Sequence, residues 1–185
     1  MTLRRSFAVA LLTTVGLALA AQEDPEDRAN LGLRVHLQAP MGDLRNLNGG
    51  QNGVSMAGFV DIPLEEVQGV SFRPMLQVDF FPRGDSLGIS GNSTQVFAYM
   101  LAMESLWYPN HDRRGPYLMA ALGAQHWRIS STGSGPNLQG TKLGVNGGVG
   151  LRWNSHLSLE VKAFWSAVDG GVRATGASAG ISLMF

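Results

Sequence analysis

The sequence predicts an all-β fold, an eight-stranded antiparallel up-and-down barrel, and three observations predict it. Past residue 29 the chain divides into eight runs in which polar and apolar residues alternate with period two, and no helical period interrupts them. Five of those runs, the first and the third to sixth, reach the roughly 9–11 residues that a tilted strand needs to cross a bilayer, where ordinary strands stop at about 5 or 6. The connections alternate between long segments rich in Gly, Ser and Asn and tight turns, the arrangement of an even-stranded barrel with both termini at one end.

The chain has 185 residues, no cysteine, 24 glycines and only 15% charged residues, values that suit one β-domain. Residues 1–21 read as a secretory signal: Arg4 and Arg5, an apolar run to Ala20, then small residues ending at Ala21. Loss of that leader with its two arginines leaves 12 basic residues against 14 acidic ones, and the expected mature chain starts with an acidic segment, 22–29, that carries Glu23, Asp24, Glu26 and Asp27. A slightly acidic chain is a poor nucleic-acid binder. Without cysteine there is neither a disulfide framework nor a thiol to carry a lipoprotein's lipid, so the exported domain, residues 30–185, is held by its fold.

Taken in order, the first strand (30–41) sets Leu31, Leu33, Val35, Leu37 and Ala39 against Gly32, Arg34, His36 and Gln38. The second (54–62) sets Met56, Val60 and Ile62 against Ser55, Phe59 and Asp61. In the third (72–80), Phe72, Pro74, Leu76, Val78 and Phe80 alternate with Arg73, Met75, Gln77 and Asp79, and Pro74 must either forfeit a ladder hydrogen bond or mark a bulge. The fourth (94–108) places Phe97, Tyr99, Leu101, Met103 and Trp107 opposite Glu104; the fifth (116–129) is apolar on both faces, and the facing of these two strands stays open.

The last three strands alternate clearly. Leu143, Val145, Val149, Leu151 and Trp153 mark the sixth, Leu157, Leu159, Val161, Ala163 and Trp165 the seventh, and Ala177, Ala179, Ile181, Leu183 and Phe185 the eighth. Opposite them lie Lys142, Asn146, Arg152, Glu160, Lys162, Ser178 and Ser182. Segments 42–53, 82–93, 130–141 and 167–175 are expected as the long loops, and tight turns are expected near 110–115 and 154–156.

Alternation alone does not say which face is inside, and a soluble lipocalin-like barrel shares it. The composition of the polar face favours a transmembrane barrel: Arg34, Arg73, Arg152 and Lys162 are matched in number by Asp61, Asp79, Glu104 and Glu160, a set suited to mutual pairing in a narrow lumen. Phe80, Trp107, Tyr108, Tyr117, Trp153, Trp165 and Phe185 fall near strand ends, where rings sit at headgroup level in membrane proteins.

The final residues, Ser178-Ala179-Gly180-Ile181-Ser182-Leu183-Met184-Phe185, resemble the terminal assembly signal of outer-membrane barrels. Ser178, Gly180, Leu183 and Phe185 occupy the pattern's positions, which implies recognition by the barrel-assembly machinery. Residues 30–185 as a whole resemble small bacterial outer-membrane β-barrels of the OmpA transmembrane-domain and OmpX type, in architecture rather than close identity, and Arg114-Gly115-Pro116-Tyr117 resembles a turn-and-strand segment of that class. The resemblance implies residence in a bacterial outer membrane among its lipids and lipopolysaccharide.

Some barrels of this class are lipid A-modifying enzymes, but His36 and His126 fall in strands, His111 and His156 in turns, and none stands in a His-x-Ser-Asn sequence. No His/Asp/Glu set has metal spacing, and the glycines of 144–150 follow a strand pattern rather than leading into a helix. No catalytic apparatus, metal or cofactor is therefore expected. Arg83-Gly84-Asp85 in an expected outer loop is a three-residue adhesion motif that chance also supplies. The functional expectation is a structural or surface-interaction barrel that meets partners through its four outer loops, its lumen plugged by polar and charged side chains; a narrow channel or hydrophobic-solute conduit is the alternative.

Overall fold

A computed structural model describes residues 29–64, 66–85, 92–133, 135 and 137–185. The expected signal and nearly all of the acidic segment lie outside the described residues. The rest is one closed barrel in which each strand pairs with its sequence neighbours and the last returns to the first. The strands are β1 (Asn30–Met41), β2 (Gly53–Pro63), β3 (Val70–Asp85), β4 (Ser93–Trp107), β5 (Gly115–Ser131), β6 (Leu138–Arg152), β7 (Leu157–Ala167) and β8 (Arg173–Met184). All eight pairings are antiparallel, and the β1–β8 pairing, from Gly32 opposite Met184 to Met41 opposite Thr175, removes both free edges.

Closure matters because a strand edge in hydrocarbon would strand backbone N–H and C=O groups that no water can satisfy. Pro74 tests that requirement. It keeps its place opposite Met103 on β4, whereas the β2–β3 ladder omits the two rungs between Phe59–Met75 and Ile62–Phe72. The register is the same on both sides of the gap, so Pro74 forfeits hydrogen bonding instead of making a bulge.

The alternation faces outward on its apolar side. Leu33, Val35, Leu76, Val149, Val161 and Ile181 are all exposed, while Arg34, Gln77, Asp79, Glu160 and Lys162 on the opposite faces are buried. The open phase of β4 and β5 resolves: Phe97, Tyr99, Leu101, Met103 and Trp107 point out, and Tyr117, Met119, Ala121, Gln125, Trp127 and Ile129 point in. A barrel with this surface is apolar where a water-soluble protein is polar, and its burial of charge is the inverse of a lipocalin-like core.

Three expectations need correction. Tyr108 and Tyr117 are not interfacial rings; both are buried, 5.1 Å apart: Tyr117 faces the lumen because the odd positions of β5 do, and Tyr108, just past the end of β4, packs against it. The outer segments are shorter than their Gly/Ser content suggested, since β5 runs to Ser131 and β6 starts at Leu138, and the last connection is a single 3-10 turn, Asp169–Gly171. Arg83-Gly84-Asp85 is the end of β3, with Gly84 opposite Thr94 and Asp85 opposite Ser93; residues 86–91 lie outside the described residues. The backbone of the tripeptide is thus committed to a ladder, and Gly84 packs on Asn48.

The first outer segment folds back into the barrel mouth as a short helix, α1 (Gly42–Leu47), whose Leu44 is fully buried. It rests on Phe81, Val96, Ala98, Trp127, Ile129, Val168 and Ala174, an apolar layer that fills the end of the lumen away from the termini. Trp127 Nε1 donates to Ser166 Oγ at 3.0 Å, so the layer carries its one indole N–H satisfied. Cysteines placed at Leu76, Val149 and Ile181 in the barrel reconstituted into liposomes should resist a water-soluble maleimide, while one at the exposed Asn52 should react; preferential labelling of the first three would mean that the apolar face is wetted.

Candidate functional site

Beneath the apolar layer, buried polar and charged side chains from the strands meet in one network inside the barrel. Its centre is Glu160 on β7, whose Oε1 accepts from the Tyr117 hydroxyl at 2.7 Å and from Arg73 NH1 at 3.1 Å, and whose Oε2 lies 2.7 Å from Arg34 Nε. Arg34 also grips Glu104 on β4 in a two-pronged contact, NH1 to Oε1 at 3.1 Å and NH2 to Oε2 at 2.6 Å, the fork geometry that makes guanidinium–carboxylate pairs strong. Arg34 Nε donates further to Ser182 Oγ at 3.1 Å. His36, one turn of the pleat away on β1, places Nε2 3.3 Å from Glu160 Oε2 and Nδ1 3.2 Å from Ser178 Oγ.

Arginine heads need more than anions. The Phe59 ring lies beneath both guanidinium groups, 4.7 Å from Arg73 and 5.3 Å from Arg34, and attracts each through its π face. That ring has room because residue 32 on the neighbouring strand is glycine; a Cβ there would collide with it. Gly150 does the same for the Tyr117 ring.

Towards the end that holds the termini, Asp61 joins three cations: Arg152 NH2 at 2.6 Å, Arg113 NH2 at 3.1 Å and Arg73 Nε at 3.4 Å. Arg152 also stacks 5.3 Å over Tyr108. Burial pushes the Tyr108 phenol up to about 12, so it stays protonated at neutral pH.

Towards the other end, Asp79 is solvated by neutral amides. Gln38 and Gln77 each donate Nε2 to Oδ1 at 2.8 Å, and Gln125 Nε2 donates to Oδ2 at 3.1 Å. Lys162 lies between the two groups, in the field of Glu104, Glu160 and Asp79, and is buried. The eight charged residues singled out in the sequence thus lie in one lumen, each under 7% exposed: Arg34, Asp61, Arg73, Asp79, Glu104, Arg152, Glu160 and Lys162. Their side chains sit behind a wall whose other face is apolar, so counter-charges and amides must replace the hydration each has lost.

Sequence reasoning missed three neutral members and one cation as parts of the network. Phe59 lies on the polar face of its strand but carries no sign of a role, and nothing in the local sequence of Tyr117, Gln125 and the turn residue Arg113 separates them from ordinary strand or turn residues. The parity of β5, once known, would have exposed Tyr117 and Gln125. The four residues of the terminal pattern take different places: Ser178 faces in, Gly180 packs on Val35 and His36, Leu183 faces out, and Phe185 projects from the rim with its N–H on Leu31 O at 2.9 Å. Of the histidines, His126 faces outward, stacked on Tyr99 and hydrogen-bonded to Thr141, and among the described residues no group of His, Cys, Asp and Glu is placed to hold a metal.

An eight-stranded antiparallel barrel with an apolar exterior and charged side chains buried inside defines a class, the small membrane-spanning β-barrels. Comparison with solved structures gives the same fold. The chain is similar to the attachment invasion locus protein Ail of Yersinia pestis, solved with the heparin analogue sucrose octasulfate, at 11% identity over 85% of this chain and 97% of that one (TM-score 0.57). It is similar to the N-terminal β-barrel domain of Pseudomonas aeruginosa OprF at 10% identity over 84% and 97% (TM-score 0.59), and to Neisserial surface protein A at 13% over 84% and 97% (TM-score 0.54). No protein-family model and no curated protein matches the sequence.

Replacing Glu160 leaves Arg34 and Arg73 in a buried site with Glu104 as the carboxylate that still reaches both, a loss of about 3–5 kcal/mol. Asp79→Asn removes a charge whose partners are neutral amides, and should cost about 1–3 kcal/mol. Urea unfolding of Glu160→Gln and Asp79→Asn barrels in lipid vesicles checks the order; equal losses would show that the network does not act through Glu160.

Proposed function

We propose that this chain is a bacterial outer-membrane barrel with a structural or surface-interaction role, its lumen closed and its partners met at the end away from the termini. The observation that supports the reading is that two different sets of buried side chains, one charged and one apolar, occupy successive levels of the barrel interior. The charge network fills its middle, and the apolar layer under α1 seals the outer mouth, with Arg173 N–H tied to Asp43 Oδ2 at 3.0 Å at the helix start. A conduit needs a polar path from end to end, and the buried Leu44, Phe81 and Trp127 interrupt it.

In this reading the ends of the strands nearest β1's start and β8's end lie on the periplasmic side, with the described turns 66–69, 108–114 and 153–156, and the opposite strand ends, with α1 and the 3-10 turn, face lipopolysaccharide and extracellular partners. The outer end presents both signs of charge, including the Lys142–Asp169 pair at 2.7 Å, which suits protein or polar-glycan contact better than a purely cationic or anionic partner. That Ail was solved with a heparin analogue supports the use of such a fold as a surface binder.

Phe185 belongs to this proposal as the aromatic end of the assembly signal. It is 68% exposed at the rim, where the folded barrel gains little from it.

The barrel reconstituted in planar bilayers should show no steady, large ion conductance, whereas a sustained pore-sized current would replace this reading with a channel. In cells, Phe185→Ala should lower the outer-membrane yield more than Leu159→Ala does, although both refold equally into lipid in vitro. Equal losses in both assays would reduce Phe185 to one more apolar contact.

A further inference from the structure

Two surface features meet at the rim that holds the termini, and neither is explained by the closed lumen. The first is a cavity of about 560 Å³ between the turns 108–114 and 153–156, into which Arg113, Arg114 and Arg152 open beside His111 and His156, with Asp112 the one acidic residue on its lining. Asp61 lies behind it and holds Arg113 and Arg152 in place. Arg152 Nε is buried and has no hydrogen-bond partner there.

The second is a groove of about 460 Å³ on the outer wall of β1 to β4, almost wholly apolar, lined by Leu31, Leu33, Val60, Leu76 and Leu101 with Gly58 among them. Two sequence choices open it. Gly58 leaves a Cβ-sized space with nothing within 4 Å, and Pro74 breaks the neighbouring ladder. Val60, although on the outward face of β2, is only 6% exposed in the groove.

Phe185 lines both features, and its N–H bonds to Leu31 O, so the cationic cavity and the apolar groove are contiguous at the rim. A guanidinium cluster recognises a phosphate, and a narrow apolar trough that leads from it along the barrel wall suits a hydrocarbon chain. We propose that this rim is a phospholipid-binding site, with the headgroup phosphate between Arg113, Arg114 and Arg152 and one acyl chain laid over Gly58.

The proposal rests on the membrane-spanning reading above, and it commits to an intact phospholipid of the leaflet at the terminal rim rather than to free phosphate. Two substitutions separate the halves of the site without touching the lumen. Arg114→Gln removes an exposed cation, and Gly58→Leu fills the groove from a position where the new side chain starts in open space.

The experiment is native mass spectrometry of the detergent-solubilised full chain titrated with dioleoyl phosphatidylglycerol, with inorganic phosphate and dioleoylglycerol as separate arms. The intact lipid should be retained by the wild type at one per barrel and about tenfold more weakly by each variant, roughly 1.4 kcal/mol apiece. Inorganic phosphate and dioleoylglycerol should each bind more weakly than the lipid. Unchanged lipid retention in both variants, or phosphate alone binding as tightly as the lipid, overturns the site. Circular dichroism and liposome insertion of all three proteins report separately on folding and on the membrane reading, so failure of a wild-type barrel to insert is distinguished from a missing lipid site.

Discussion

Glu160 must be neutralised inside a wall whose other face offers no water, and the interior is arranged around that requirement. Three strands other than its own bring donors to it: Arg34 from β1, Arg73 from β3 and Tyr117 from β5. Each of those donors is then held by a second partner, Glu104 for Arg34, Asp61 for Arg73 and the Gly150 space for Tyr117. Charge that is cheap in water becomes an instrument of specificity here, because an alternative register would leave at least one of these groups buried without its partner.

The lumen divides by chemistry along its length. The terminal half carries ion pairs with aromatic rings stacked among them, the middle carries a carboxylate solvated by amides, and the outer end carries an apolar layer packed under α1. The order follows from how each group is satisfied. Guanidinium groups reach several anions and a ring at once, amides donate singly, and the indole of Trp127 needs one acceptor and otherwise packs as hydrocarbon. Glycines at 32 and 150 trade strand propensity for the volume that Phe59 and Tyr117 occupy.

The outer wall is less uniform than its alternation implies. At most positions a branched or aromatic side chain covers the backbone, but the groove beside Phe185, where Gly58 and Pro74 fall on adjacent strands, leaves the wall thin at the same rim where arginines gather. A single interruption of a ladder in hydrocarbon is costly, and it is more readily borne where another molecule or side chain covers it.

Period-two alternation determined the eight strands and which residues share a face, because side chains on a pleated strand have only two directions, and the alternating loops and tight turns determined their antiparallel order. Alternation determined the faces best in β1, β3 and β7, where one face carries charged residues, and in β8, where one face carries serines, against an apolar other face. In β5, apolar on both faces, the pattern carried no direction; only the register with Glu104 on β4 and Asn146 on β6 fixed Ala121, and with it Tyr117 and Gln125, inside. The ends of β5 and β6 were hidden for the same reason, since serine and glycine suit a turn and a tightly packed strand alike. Which anion meets which cation, the return of α1 into the mouth and the meeting of Asn30, Arg113 and Phe185 at one rim were decided by tertiary structure alone. These contacts join residues far apart in the chain, and their energy depends on distance and burial, which the sequence does not record until the barrel closes.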